Sequence, residues 1–303
     1  MLASIGSTLH AEAVVRIFTA LPSGQYVHQI ADVSTFTGFE RSFAHNAPEY
    51  GVELEAPLYQ FIIGGRYQRT ATGRNQQDFH ENVFMVSPLY SNRSGRQFDV
   101  MKGVFRDQID MYNGVGNQAA SKGEADFKEY QGRLWLLYAV NNNWAFGIQS
   151  LYSHNFYTVK NIETIMYGDQ NLYYTPVGLT MRSDFVEWQA GFRYNTDSKP
   201  FRFQADLFAG TDLIRFRDLR QMVPAMYKSE SDGPSLFARL GVAWQWNITE
   251  VALSAYARRL FTRGTNLKQT FAPGITVNYD FLAPVDANFR ENGIELSFGL
   301  KIF

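Results

Sequence analysis

The stretch Ile294-Glu-Leu-Ser-Phe-Gly-Leu-Lys-Ile-Phe303 decides the fold. Ile294, Leu296, Phe298, Leu300 and Ile302 fall on one side of an extended chain, and Glu295, Ser297, Gly299 and Lys301 on the other. A period of two is the pattern of a β-strand whose two faces meet unlike surroundings. Phe303 stands one residue out of phase with the apolar set.

The same alternation recurs upstream as strand–turn–strand units. Gly132–Val140 and Trp144–Tyr152 flank the turn Asn141-Asn-Asn143, whose residues tolerate the positive φ of a tight turn. Glu187–Tyr194 and Phe201–Ala209 flank Asn195-Thr-Asp-Ser-Lys-Pro200. Leu236–Trp246 and Val251–Ala257 flank Asn247-Ile-Thr-Glu250, and Gly274–Phe281 precedes Ile294–Phe303 as a last pair. Further strands are expected at Val14–Ala20, Ile30–Phe39, Tyr50–Pro57, Gln60–Thr70, Asn82–Tyr90, Phe98–Tyr112, Tyr157–Tyr167 and Leu172–Arg182. The count is about 12–16 strands of about 9–11 residues, enough to cross a bilayer at a tilt. No fixed-period repeat, linker or low-complexity tract interrupts the chain, so residues 1–303 read as one domain.

Composition narrows the class. Of 303 residues 25 are Phe and 17 are Tyr, yet mean hydropathy is only −0.26. That combination suits a wall with one face toward lipid and one toward water. No apolar run approaches the ~18 residues of a membrane-spanning helix. The absence of cysteine removes disulfide and thiolate chemistry, and a net charge of −1 gives no reason to expect nucleic acid as a partner. Residues 1–13 end in Ala11-Glu-Ala13, which fits the tail of a secretory signal or a short N-terminal extension.

A C-terminal alternating strand ending in Phe303 resembles the last strand of Gram-negative outer-membrane β-barrels, in the style of porins and omptins. The resemblance implies an all-β, single closed antiparallel transmembrane barrel, with short turns on one side and longer loops on the other. It also implies residence in an outer membrane, with the lipid bilayer and lipopolysaccharide as partners. One difficulty follows. Counted back from Phe303, these strands put the turns Asn247–Glu250 and Asn195–Pro200 outside and the long Gly210–Ser235 segment inside. A strand miscount between Arg258 and Gly293 is the preferred explanation.

On that wall Trp144, Phe146, Ile148, Trp188, Phe192, Phe203, Leu240, Val242 and Leu296 are expected to face lipid. Gln189, Arg193, Arg202, Gln204, Asp206, Arg239, Arg258 and Glu295 are expected to line the lumen. Pairing Tyr194 with Phe201 sets Arg193 opposite Arg202, and pairing Trp246 with Val251 sets Arg239 opposite Arg258. Opposed like charges need compensation, and Glu187, Asp206, Asp280 and Glu295 share the inner face. Either ion pairs fill the bore or the arginines favour small polar or anionic solutes; the near balance of inner charges favours the ion pairs.

Omptin proteases use an Asp-x-Asp and an Asp-x-His pair at the outer rim. This chain has Asp78-Phe-His80 and no Asp-x-Asp, so no catalytic residue is assigned. Ser153 and His154 are adjacent and must point to opposite faces of a strand, which prevents a nucleophile–base pair. The five histidines show no zinc spacing, and neither metal nor cofactor is expected. The basic stretch Asp212–Arg220 could contact lipopolysaccharide phosphates or be a solvated strand end. The leading role is therefore a passive pore for small polar solutes or a structural barrel. A rim hydrolase of omptin or lipase type, and a subunit of a secretion or surface-assembly complex, are the alternatives.

Overall fold

The computed structural model describes residues 13–32, 37–71, 76–85, 117–166, 172–196, 199–220, 225–271, 275–278 and 285–302. Among them there is no helix, and one antiparallel sheet contains thirteen strand segments. These are β1 Ala13–Asp32, β2 Thr37–His45, β3 Glu49–Leu58, β4 Phe61–Thr70, β5 Gln76–Met85, β6 Asn117–Ala139 and β7 Trp144–Met166. They continue as β8 Leu172–Asn195, β9 Phe201–Arg220, β10 Ala225–Trp246, β11 Thr249–Phe271, β12 Ile275–Asn278 and β13 Val285–Ile302.

The sheet closes on itself. One complete ring runs β1–β13–β11–β10–β9–β8–β7–β6–β4–β3 and back to β1, a circuit of ten strands. Toward the other end β5 and β2 take the places of β4 and β3, so β2/β3 and β4/β5 are each one stave of the wall with a break in it. Among the described residues closure leaves no long unpaired edge, the condition that a β-structure in lipid must meet. The seam is continuous from Ala13↔Ile302 to Ile30↔Val285.

The long staves settle the orientation problem. Gly210–Ser235 is not a loop: β9 continues to Arg220 and β10 begins at Ala225. Of Gly274–Phe281 the described residues are those of β12, which among the described residues pairs with β11, while β11 and β13 are ring neighbours. The short connections at Tyr59–Gln60, 140–143, 196–200 and Asn247–Ile248 then all lie at the end that carries Ala13 and Ile302. Staves of 18–24 residues replace the shorter strands expected. Ile30–Phe39 is not one strand, because β1 ends at Asp32 and β2 starts at Thr37; Phe98–Tyr112 lies outside the described residues.

Two registers also differ from expectation. Tyr194 pairs with Ala205, which sets Arg193 opposite Asp206 rather than Arg202. Trp246 pairs with Thr249 across the two-residue loop Asn247–Ile248, with Asn247 at φ 53°, so Arg239 faces Tyr256 and Arg258 faces Phe237. Both shifts are even, so every side chain keeps its face and apolar alternation does not distinguish the registers. Charge does: the observed pairing opposes Arg193 to a carboxylate instead of a guanidinium.

On the outside, large apolar side chains form a band. On β7 it runs from Trp144 through Phe146 and Ile148 to Tyr152, and on β13 from Ile302 back to Ile294. Nine such residues at a barrel tilt rise about 25 Å, the height of an outer-membrane apolar band. Aromatics gather at its borders: Tyr59, Phe61, Trp244 and Trp246 near the short turns, Tyr50, Tyr130, Tyr152 and Trp188 at the far edge. Beyond that edge the outer face of β6 turns to Lys128, Asp126, Glu124 and Lys122. The staves therefore extend well past the band on the loop side.

Candidate functional site

Inside the band the bore is filled by a balanced ion-pair layer. Five arginines (Arg16, Arg66, Arg193, Arg202 and Arg239) meet five carboxylates (Glu53, Glu55, Asp206, Glu250 and Glu295). Arg16 donates to Glu53 at 2.7 Å and Glu250 at 2.5 Å. Arg66 and Arg239 share Glu295, at 2.6 and 2.7 Å, and both also approach Glu53. Arg193 donates to Asp206 at 2.8 Å and also pairs with Glu55, which accepts the Trp135 indole N–H at 3.1 Å. Partners come from strands far apart in sequence, so the layer ties opposite walls together. Buried charges are stable only when matched and hydrogen-bonded in this way.

Above this layer, at the far edge of the band, lies a second polar layer of different character. Arg258 donates to Glu187 at 2.5–2.7 Å and stands 3.8 Å from Glu291 and 3.9 Å from Glu129. Asp212 pairs in register with Glu187 and, among the described residues, neither of its carboxylate oxygens has a hydrogen-bond partner. His45 at the end of β2, Glu49 at the start of β3 and Glu129 on β6 converge here, all buried.

An aromatic plug closes the bore above the band. Tyr26, Phe43, Phe79, Phe127, Tyr157, Phe185, Phe216 and Phe289 come from eight different strands. Their ring centroids lie 4.5–5.6 Å apart in pairs such as Phe43–Tyr157, Phe127–Tyr157, Phe185–Phe289 and Tyr26–Phe185, ordinary edge and offset contacts. His28 packs against Phe216 with ring centroids 3.7 Å apart and planes tilted by 35°. Burial, reinforced by the nearby Arg41 guanidinium, holds its imidazole well below the usual range, so it is neutral among the rings. Voids beside the two polar layers measure about 10 and 20 Å³, room for one water each.

The structure places Gln189, Arg193, Asp206, Arg258 and Glu295 buried in the bore, and Arg202, Gln204 and Arg239 partly buried there. Trp144, Phe146, Ile148, Trp188, Phe203, Leu240, Val242 and Leu296 are exposed on the outer wall, with Phe192 half-buried among them. Asp280 lies outside the described residues. Asp78 and His80 are exposed on the outer face of β5, turned away from the bore. Ser153 points inward and donates to Glu129 at 2.5 Å, whereas His154 points outward onto Asp184 at 2.7 Å. On β9, Arg215 and Arg217 are exposed outside while Asp212, Ile214, Phe216 and Asp218 face in. Sequence reading missed the convergence of His45, Glu49 and Glu129, because β2, β3 and β6 meet only through sheet closure. Glu49 is the first residue after Asn46-Ala-Pro48, the break that joins two strands into one stave, and that proline was the available signal.

Comparison with solved structures agrees with this architecture. The outer membrane protease OmpT from Escherichia coli superposes with a TM-score of 0.73 over 98% of this chain and 99% of that one, at 11% identity. The fold is that of a Gram-negative outer-membrane β-barrel. OprG from Pseudomonas aeruginosa aligns over 94% of this chain and 95% of its own at 11% identity, with a TM-score of 0.36. The translocator domain of the autotransporter NalP from Neisseria meningitidis aligns over 93% and 88% at 8% identity, with a TM-score of 0.35. Neither of these two similarities carries weight beyond the first. No protein-family model and no curated protein matches the sequence.

Proposed function

We propose that this chain is a sealed, non-conducting barrel of the Gram-negative outer membrane. Its wall sits in the bilayer and its upper half stands in the medium. The observation that carries this reading is the filled bore: a ten-member ion-pair layer and, above it, eight tightly packed rings, with voids of about 10 and 20 Å³ beside the polar layers. A porin of this size would need a continuous aqueous path, and a lumen lined by arginine selects ions only if the guanidiniums face water. Here they face carboxylates. Of the two passive roles compatible with the sequence, the structural one is favoured. The exposed band supports contact with acyl chains, and Arg215 and Arg217 just beyond it suit the phosphates of a lipopolysaccharide leaflet.

The test is electrical. Purified full-length barrel inserted into planar bilayers should give no discrete conductance steps, and proteoliposomes should not swell in small sugars. Stable unitary currents from the unmodified protein would overturn the reading and restore the pore.

A further inference from the structure

The two polar layers differ in charge. The lower one sets five guanidiniums against five carboxylates. In the upper one Glu49, Glu129, Glu187, Glu291 and Asp212 face Arg258, Arg133 and the His45 imidazole, and Arg66 of the lower layer reaches Glu49 through Gln68; among the described residues Arg133 packs over Phe237 and has no ion pair. Five buried acids against two guanidiniums and one imidazole leave a deficit of positive charge in a site capped by rings. Such a deficit is costly unless a further cation or protons neutralise it.

The geometry indicates where a cation would sit. His45 Nε2 lies 3.1 Å from Glu129 Oε2, 3.8 Å from Glu49 Oε1 and 3.9 Å from Glu291 Oε2. His45 Nε2 and Glu129 Oε2 meet only each other at close range, and among the described residues Glu49 Oε1, Glu291 Oε2 and His45 Nδ1 have no hydrogen-bond partner. The imidazole is fully buried, wedged edge-on against Phe127 and Phe289 at 4.5 and 5.2 Å. The opposite oxygen of each of two carboxylates is held by a neutral donor. Gln68 donates to Glu49 Oε2 at 2.7 Å, and Ser153 donates to Glu129 Oε1 at 2.5 Å. This is the outer-shell arrangement that aims carboxylates at an ion. Donors about 2.0–2.2 Å from one ion lie about 3–4 Å from one another; His45 stands 3.1 and 3.8 Å from Glu129 and Glu49, and all three donors lie within 4.8 Å of one another. Arg258 approaches Glu129 from its other oxygen, Oε1, at 3.9 Å, and directs its close bonds to Glu187.

We propose that His45, Glu49 and Glu129 bind a divalent first-row transition ion such as zinc between the ion-pair layer and the aromatic plug, with Glu291 beside them. One imidazole with two or three carboxylates suits such ions better than calcium or magnesium, which take oxygen donors. The plug leaves no route through the folded barrel, so the ion enters during folding and exchanges slowly afterwards. The slow exchange rests on the sealed-barrel reading; the binding site itself does not, and the bilayer recordings test that reading separately.

The test uses the full chain without a polyhistidine tag, folded into detergent with zinc and then freed of loose metal by excess EDTA and gel filtration. Elemental analysis should find about one zinc per barrel. His45→Gln and Glu129→Gln should each lower retained zinc by at least about tenfold, whereas His154→Gln, on the outer wall, should leave it unchanged. Barrel folded with cobalt instead should show visible absorption bands that disappear in His45→Gln. Should His45→Gln fail to give the heat-modifiable folded band, Glu49→Asp, which shortens one donor, takes its place with the same expected loss. Zinc content near zero in folded wild type overturns the proposal. So does zinc that EDTA strips at once from the folded barrel, or zinc retained equally by the variants.

Discussion

The lower and upper polar layers of the bore are built from the same residue types within one continuous wall, yet they follow opposite rules. In the lower layer Glu53 accepts from Arg16 and Arg239 and lies near Arg66, and each guanidinium has a second carboxylate within reach. In the upper layer Glu49 and Glu291 each keep one oxygen without a hydrogen-bond partner beside a buried imidazole that pairs with Glu129. The lower layer balances its charges from the chain alone, although Arg16 Nη2, Arg202 Nε and Glu250 Oε2 have no hydrogen-bond partner among the described residues; the upper layer carries more acids than guanidiniums. A buried ion-pair network can be charge-balanced at one level and acid-rich a few residues higher on the same strands.

The comparison breaks most sharply under one substitution made twice. Glu53→Gln leaves three arginines short of charge and should destabilise the barrel by about 3–5 kcal/mol, read from urea unfolding in lipid vesicles. Glu49→Gln, measured in EDTA, removes one acid from an excess and should be neutral or stabilising. Equal losses from both would erase the distinction between the layers. Next in size is the outer wall at the lower layer's height: Leu240→Arg or Ile148→Arg should cost about 2–4 kcal/mol near the bilayer midplane. Thr158→Arg, on the outer face beyond the band, should cost little in the same assay. Gly64→Ala tests the lower layer's packing, because a Cβ there would lie 2.1 Å from the Trp135 indole that bonds Glu55. A loss of about 1–3 kcal/mol is expected, with a shift in Trp fluorescence as the local readout. The smallest effect should come from His80→Ala on the exterior of β5, within about 0.5 kcal/mol of wild type. A peptidase activity that vanished in that variant, with the barrel still folded, would give the outer rim a role.

Much of the wall was legible in the sequence because period-two alternation is a local property. Trp144, Phe146 and Ile148 declare a face whichever strand they pair with. Stave length was not legible: beyond the band the outer face becomes Lys128, Asp126 and Glu124, and alternation of polar with apolar then reads like a loop, as it did at Gly210–Ser235. Register failed for a related reason, since shifts of two or four residues leave every face unchanged. The upper cluster was beyond reach because His45, Glu49 and Glu129 meet through ring closure, and no spacing along the chain encodes that meeting. Arg193 with Asp206 was closer to reach, for opposite charges on one face of a hairpin already favour that pairing.

The seam between β1 and β13 joins the first described residues to the last, Ala13 to Ile302 and Ile30 to Val285. That pairing cannot form until the final strand has been made and the other eight staves are arrayed between the two. Until then two open edges, β1 and β11, are available to any other strand, including those of neighbouring copies. Timing thus becomes a property of the fold: everything enclosed by the wall must be in place before its last stave zips shut, and a chain stalled short of β13 is an aggregation hazard rather than a smaller barrel.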